Sequence, residues 1–299
     1  MPTARSCADR NDPEAPASYD WHSTYPAPAK LNLFLHVVGR RADGYHLLQT
    51  AFHFIARGDY LSFAPRADGE IRLTKPLPGV RPEDDLTVRA ARLLQEERAC
   101  RRGVDITLTK RLPLGGGLGG GSSDAATVLL ALNHLWQLGL SRHRLQQIGL
   151  RLGADVPVFV FGRNAFAEGI GERLQAIAVP PRWYVVVEPP VQVPTAVIFG
   201  APELKRDTPA IPAHAWRPGF GGNDLQAVAT ERFPEIAEHL AYLSALGPAR
   251  MTGSGACVFA EFGQAEQAGA ACRRLPAGVR AWAAAGLEQH PLRMLLADE

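Results

Sequence analysis

One run of residues, Pro113-Leu114-Gly115-Gly116-Gly117-Leu118-Gly119-Gly120-Gly121-Ser122-Ser123, constrains this chain more than any other feature. Before it, Val104–Thr109 alternates apolar and polar residues, which predicts a strand. After it, Ala125, Val128, Leu129, Leu132 and Leu135 recur at helical spacing, which predicts a helix over Ser122–Leu138. Glycine lets the backbone approach a ligand and turn its N–H groups toward it. A helix start adds free N–H donors and a partial positive charge. Ser122 or Ser123 can cap that helix. The combination is an anion site suited to phosphates. A flexible linker would not be bounded so tightly by regular structure.

Phosphate loops differ in what accompanies the glycines. A Walker loop needs Gly-Lys-Ser/Thr, and no lysine lies between Lys110 and the helix. A dinucleotide fingerprint is met formally by Gly115, Gly117 and Gly120. It also requires a second strand and an acidic residue about 20 positions on. Here no acidic residue occurs between Asp124 and Asp155, and two predicted helices fill the interval, the second over Ser141–Leu152. Both readings fail, and a third type of loop remains.

The rest of the chain reads as mixed strands and helices. Strands are predicted at Lys30–Val38, Leu47–Phe63, Ile71–Thr74, Trp183–Val187, Ala256–Phe262 and Val279–Ala284. Helices are predicted at Glu83–Gln95, Asp224–Arg232, Pro234–Leu246 and Gln264–Arg274. Pro180–Pro218 is proline-rich, which suits connections better than a sheet centre. Residues 1–21 are polar and read as a disordered extension without a signal peptide. A length of 299 residues suits one large or two modest domains, with a junction near Glu172–Pro181: residues 22–174 and 175–299. A net charge of +2 gives no field that argues for nucleic acid or a membrane surface as partner. No stretch approaches the roughly 20 apolar residues of a membrane span. Four cysteines without metal spacing fit a reducing cytoplasm.

The glycine loop resembles the phosphate loop of the GHMP kinases, the superfamily of galactokinase, homoserine kinase and mevalonate kinase. Two further segments extend the resemblance. Pro26-Ala27-Pro28-Ala29-Lys30-Leu31-Asn32-Leu33 looks like the family's first motif, and Thr252-Gly253-Ser254-Gly255-Ala256-Cys257 like its glycine-rich third. The resemblance covers nearly all of the chain after residue 21. It implies an α+β, two-domain kinase with an N-terminal ATP-loop domain and a C-terminal α/β substrate domain. Arg41-Ala42-Asp43-Gly44-Tyr45-His46 and Gly153-Ala154-Asp155-Val156-Pro157 point further, to a branch whose alcohol substrate carries cytidine diphosphate and leads to isoprenoid precursors. The rivals are a family member acting on mevalonate or homoserine, and a nucleotide-binding protein without catalysis.

The resemblance assigns roles residue by residue. Asp155 is the base that accepts the substrate hydroxyl proton. Lys30, in an apolar strand, needs a partner, and the family implies Asp155; the lysine steadies that carboxylate or the developing phosphoryl charge. Only four lysines stand against 28 arginines, so a lysine at Lys30, and at Lys110 beside the loop, suggests a need for a compact charge. Asn32 shares a strand face with Lys30 and is expected on the substrate or Asp155. Tyr45, His46, Ile170 and Phe199 would form the cytidine pocket, and Thr195 would touch the diphosphate. Pro113–Ser123 and Lys110 would hold ATP, with Asp85 and Leu86 near adenine where the family usually has Asn-Leu. A carboxylate only accepts hydrogen bonds, so Asp85 puts that side-chain contact in doubt. Magnesium is implied by ATP chemistry, with Ser123 the expected protein contact.

Overall fold

The computed structural model describes residue 16 and residues 18–296. The chain enters on two long antiparallel strands, β1 (Tyr25–Arg40) and β2 (His46–Arg66), joined by the Asp43-Gly44-Tyr45 turn. A short β3 (Ile71–Leu73) leads to α1 (Leu86–Arg98), and β4 (Gly103–Thr109) returns to the sheet. The glycine loop opens α2 (Gly120–Leu135), followed by α3 (Arg142–Leu150) and α4 (Val156–Phe161). Strands β5 (Ala165–Glu168) and β6 (Arg173–Ala176) complete a first sheet ordered β3-β4-β2-β5-β6, with β1 also paired to β2.

The second sheet begins with β7 (Trp183–Glu188). After α5 (Thr195–Phe199), α6 (Asp224–Arg232) and α7 (Pro234–Ser244) come β8 (Ala249–Met251) and β9 (Val258–Phe262). Helix α8 (Ala265–Arg274) and β10 (Arg280–Ala285) finish it, in the order β10-β7-β9-β8. No described helix is long and apolar enough to cross a membrane. The α+β class expected from the sequence is the one observed.

Three apolar clusters hold these layers. One lies between the first sheet and α1–α4, and a second between the other sheet and α5–α8. The third joins the lobes, with Ala29, Leu31 and Ile55 packed toward Tyr184, Val186, Phe259 and Trp282. Strand alternation gives β1 two jobs. Ala29 and Leu31 face the second sheet, while Lys30 and Asn32 face the other way, toward the glycine loop. Helix α2 is buried on nearly every side from Ser123 to Asn133, as a helix wedged between a sheet and its neighbours must be.

Several boundaries differ from expectation. Strand β6 straddles position 174/175, so the chain leaves the first sheet after Ala176. From Gly286 it returns to the first lobe, where the Leu287 N–H donates to Phe54 O and Leu292 is buried. The expected extension over residues 1–21 falls mostly outside the described residues, but Tyr19 is buried in the first core, and the Tyr25 hydroxyl donates to Asp20 O. Helix α2 starts two residues early, with Gly119 as its N-cap in the left-handed region and no side-chain cap. Ser123 therefore does not cap: its hydroxyl is buried and donates to Pro28 O at 2.7 Å.

Candidate active site

The glycine loop is shaped by what it must pass. At Gly117 φ is +73°, and a Cβ would lie 2.2 Å from Thr252 O. At Gly119 φ is +72°, and a Cβ would meet the Phe159 ring and the Lys30 side chain. No residue with a side chain fits either place. The third glycine-rich segment is the reason for the first of these: Thr252–Gly255 packs directly on the loop, and the Cys257 N–H donates to Gly116 O. Two segments 135 residues apart thus meet in one cradle, where the Thr252 hydroxyl donates to Gly117 O.

Lys30 and Asp155 meet at that cradle. The buried ammonium lies 3.2 Å from Asp155 Oδ2. It also donates to Asn32 Oδ1 at 2.6 Å and to Gly117 O at 3.0 Å. Its three protons thereby have three acceptors, which is what burial of an ammonium demands. Asp155 stands at the N-terminal end of α4 but makes no capping bond there, and it remains a third exposed. Asn32 completes the set by donating to Thr50 Oγ1, while its backbone N–H donates to Thr252 Oγ1.

These groups line a cleft of about 590 Å³ together with Leu86, Lys110, Pro113–Ser122 and Thr195. A second hollow of about 520 Å³ adjoins it, sharing Leu48, Ala154, Thr195 and Phe199, and carries Tyr45 and His46. The His46 and Phe199 rings lie 5.0 Å apart, and Tyr45 is 61% exposed, so its face is free to receive a ring. Thr195 Oγ1 pairs with Ser254 Oγ at 2.9 Å, between the two hollows.

Three expected residues sit differently. Asp85 caps α1, its carboxylate accepting from the Thr87 N–H and hydroxyl, and it does not line the cleft. Asn and Asp cap about equally well, so this position can serve the helix with either residue. Ser123 is turned away, and Ser122 lines the cleft instead. Ile170 borders neither hollow; the cleft wall there is Gly171.

A charged cluster supports the loop from below. Lys110, whose ammonium lies 3.3 Å from where a Gly120 Cβ would be, is held by Asp59 at 2.5 Å and Asp124 at 2.9 Å. Asp59, fully buried, also accepts the N–H groups of Arg111 and Leu112, the strand exit leading into the loop. Burial pushes the Asp124 carboxyl up to about 8; Lys110 pulls it down, and Asp59 adds to the rise. Burial opposes the charge on Lys110, but the two carboxylates outweigh it and raise its pKa. Neither Asp59 nor Thr252 stands out as a site residue from sequence spacing, because their partners lie 51 and 220 residues away.

Two family models match the chain: the GHMP kinases N terminal domain over residues 85–163 and the GHMP kinases C terminal over residues 213–281. The chain belongs to the GHMP kinase family, ATP-dependent kinases of small molecules. It is similar to the 4-diphosphocytidyl-2-C-methyl-D-erythritol kinase of Dechloromonas aromatica, 64% identical over 269 residues, covering 90% of this chain and 98% of that one. The enzyme of the same name from Thiobacillus denitrificans is 60% identical, covering 90% of this chain and 96% of that one. A crystal structure of 4-(cytidine 5'-diphospho)-2C-methyl-D-erythritol kinase superposes with a TM-score of 0.77 at 38% identity, covering 88% of this chain and 99% of that one. Mevalonate kinase, at 14% identity and a TM-score of 0.64, shares the fold.

Proposed function

We propose that this protein transfers the terminal phosphoryl group of ATP to the 2-hydroxyl of 4-diphosphocytidyl-2-C-methyl-D-erythritol, in the cytoplasm, on the non-mevalonate route to isoprenoid precursors. The observation that carries the reading is the 3.2 Å pairing of Lys30 with Asp155 beside Gly117, next to a hollow lined by Tyr45, His46 and Phe199. The loop amides of Gly115–Ser122 cradle the phosphates, and Leu86 and Lys110 border the nucleotide. Asp155 accepts the hydroxyl proton as the oxygen attacks phosphorus, and Lys30 holds it in place and offsets charge on the transferring group. Thr195 stands where the substrate diphosphate passes between the hollows, and the aromatic walls receive the base.

The donors present fit magnesium of the kind that keeps most of its waters. No group of three or more His, Cys, Asp or Glu side chains is gathered among the described residues, and Ser122 and Asp155 are the side chains that would hold such an ion alongside the nucleotide phosphates. When bound, magnesium offsets charge on the β and γ oxygens.

Turnover with ATP tests the assignment directly. The cytidine diphosphate alcohol should be phosphorylated, with mevalonate and homoserine inert. Phosphorylation of mevalonate in its place would overturn the reading.

A further inference from the structure

His46 is held from behind by a residue that touches neither hollow. Arg206 Nε lies 3.0 Å from His46 Nε2. The same guanidinium donates to the carbonyls of Phe199, Ala201, Pro202 and Leu204. It thus stitches together the turn that follows α5, the helix that ends on Phe199. A guanidinium has only donors and keeps its proton at any working pH. Nε2 of His46 must therefore be the acceptor, and the ring proton must reside on Nδ1. Burial, Arg206 and Arg40 all hold His46 below its ordinary pKa, so the ring stays neutral.

We propose that Arg206 is a positioning residue that sets base selectivity: it locks His46 as a neutral Nδ1–H donor and fixes Phe199 opposite it. The proposal rests on the cytidine reading of the hollow. Cytosine offers an acceptor at N3, where uracil carries a proton. A donor that cannot switch to an acceptor favours the first and rejects the second, because a buried mismatch leaves both partners unpaired. An unrestrained imidazole could exchange its tautomer and accept either base.

The test combines a substrate-free signal with a kinetic split. The nitrogen chemical shifts of His46, assigned by loss of its signals in His46→Gln, should report Nδ1–H alone in the wild type. Arg206→Met should show mixed tautomers. It should raise KM for the cytidine diphosphate alcohol about tenfold or more, and lower the cytosine-over-uracil ratio of kcat/KM about tenfold or more, against the uridine diphosphate analogue. KM for ATP should stay within about twofold of the wild type, as a folded loop requires. Arg206→Lys still donates to Nε2, so it should keep the tautomer and the selectivity while losing part of the turn. A single Nδ1–H tautomer in Arg206→Met, or equal loss of affinity for both bases in both variants, would overturn the proposal. A wild type inactive on the cytidine compound would instead defeat the substrate reading and, with it, the selectivity claim; the tautomer signal, read without substrate, would still decide the lock.

Discussion

A buried ammonium has three protons to place, and Lys30 places them on Asn32, Gly117 and Asp155. The first two acceptors belong to the scaffold, so the third is aimed by them. Asp155 is held by one oxygen and left a third exposed to the cleft. Replacing Asp155 by Asn keeps the shape and removes the base. Turnover should fall by roughly 100-fold or more, the scale of general-base catalysis. ATP affinity, measured by calorimetry, should change little, because the loop amides do the binding. Near-normal turnover in that variant would remove Asp155 from the chemistry. The union of these residues was legible only through the family resemblance. Lys30 and Asp155 sit 125 positions apart, and each alone is an ordinary strand lysine and loop aspartate. Asp85 and Ser123 sit differently for opposite reasons: Asp85 is taken up by a local cap on the Thr87 N–H, two residues on, whereas Ser123 is drawn to Pro28 O, 95 residues away, which spacing in the sequence cannot display.

The glycine loop and α2 form one element braced from two sides, by Thr252–Gly255 and by the Asp59–Lys110–Asp124 cluster. The two braces predict different behaviour. Gly117→Ala meets backbone at 2.2 Å in a left-handed conformation, whereas Gly115→Ala meets nothing within 4 Å at a similar φ of +69°. Gly117→Ala should therefore cost more, adding a clash to the roughly 1–3 kcal/mol of strain that both share. Melting curves of the pair would show it, and equal losses would mean that the loop sits away from Thr252. The charged brace predicts a pH effect. Asp124 keeps its proton up to about 8 in the fold but releases it near 3.8 when unfolded. Between those values the native state binds the extra proton, so stability falls as pH rises from 4 to 8 and levels off above. Asp124→Asn mimics the protonated acid. Its melting temperature relative to wild type should climb by several degrees across that window. A gap that stays constant with pH would show an ionised Asp124 throughout. Long periodic elements such as α2, α6 and α8 were readable from spacing, as was the alternation of β4. The short ones were not. Helix α4 has six residues, all apolar, and β5, β6 and β8 have three or four, so each exists through its tertiary partners more than through its own pattern.

Across the whole molecule, the two lobes are joined by an apolar seam with a buried polar contact inside it. His53 Nδ1 on β2 pairs with the Tyr184 hydroxyl on β7 at 2.7 Å, with both residues buried. On the far side of the first lobe, His290 is buried against Phe54, its Nδ1 accepting from the Leu292 N–H. Burial pushes His53 down to about 4, while burial and the charge of Arg142 push His290 down to about 3. Both rings are thus kept neutral by the fold at pH values where an unfolded histidine, with its pKa near 6.5, is charged. The unfolded state then binds protons that the native state refuses, so stability falls as pH drops below 6.5 and continues to fall to about 4 for His53 and about 3 for His290. For His53 alone the full window is worth about 3 kcal/mol. The seam and the return of the C-terminal segment should therefore fail together in acid. Because Asp124 acts in the opposite sense over the same range, the melting temperature of wild type should fall from pH 6.5 to pH 4.5 by less than the two histidines alone would give. His290→Asn, less stable than wild type at pH 7 because it opens space in the core, should decline less steeply, since one of the two protons no longer counts. A gap between wild type and His290→Asn that does not narrow from pH 6.5 to pH 4.5 would mean that water reaches that imidazole, and the C-terminal segment would then be less firmly docked than the burial of Leu292 requires.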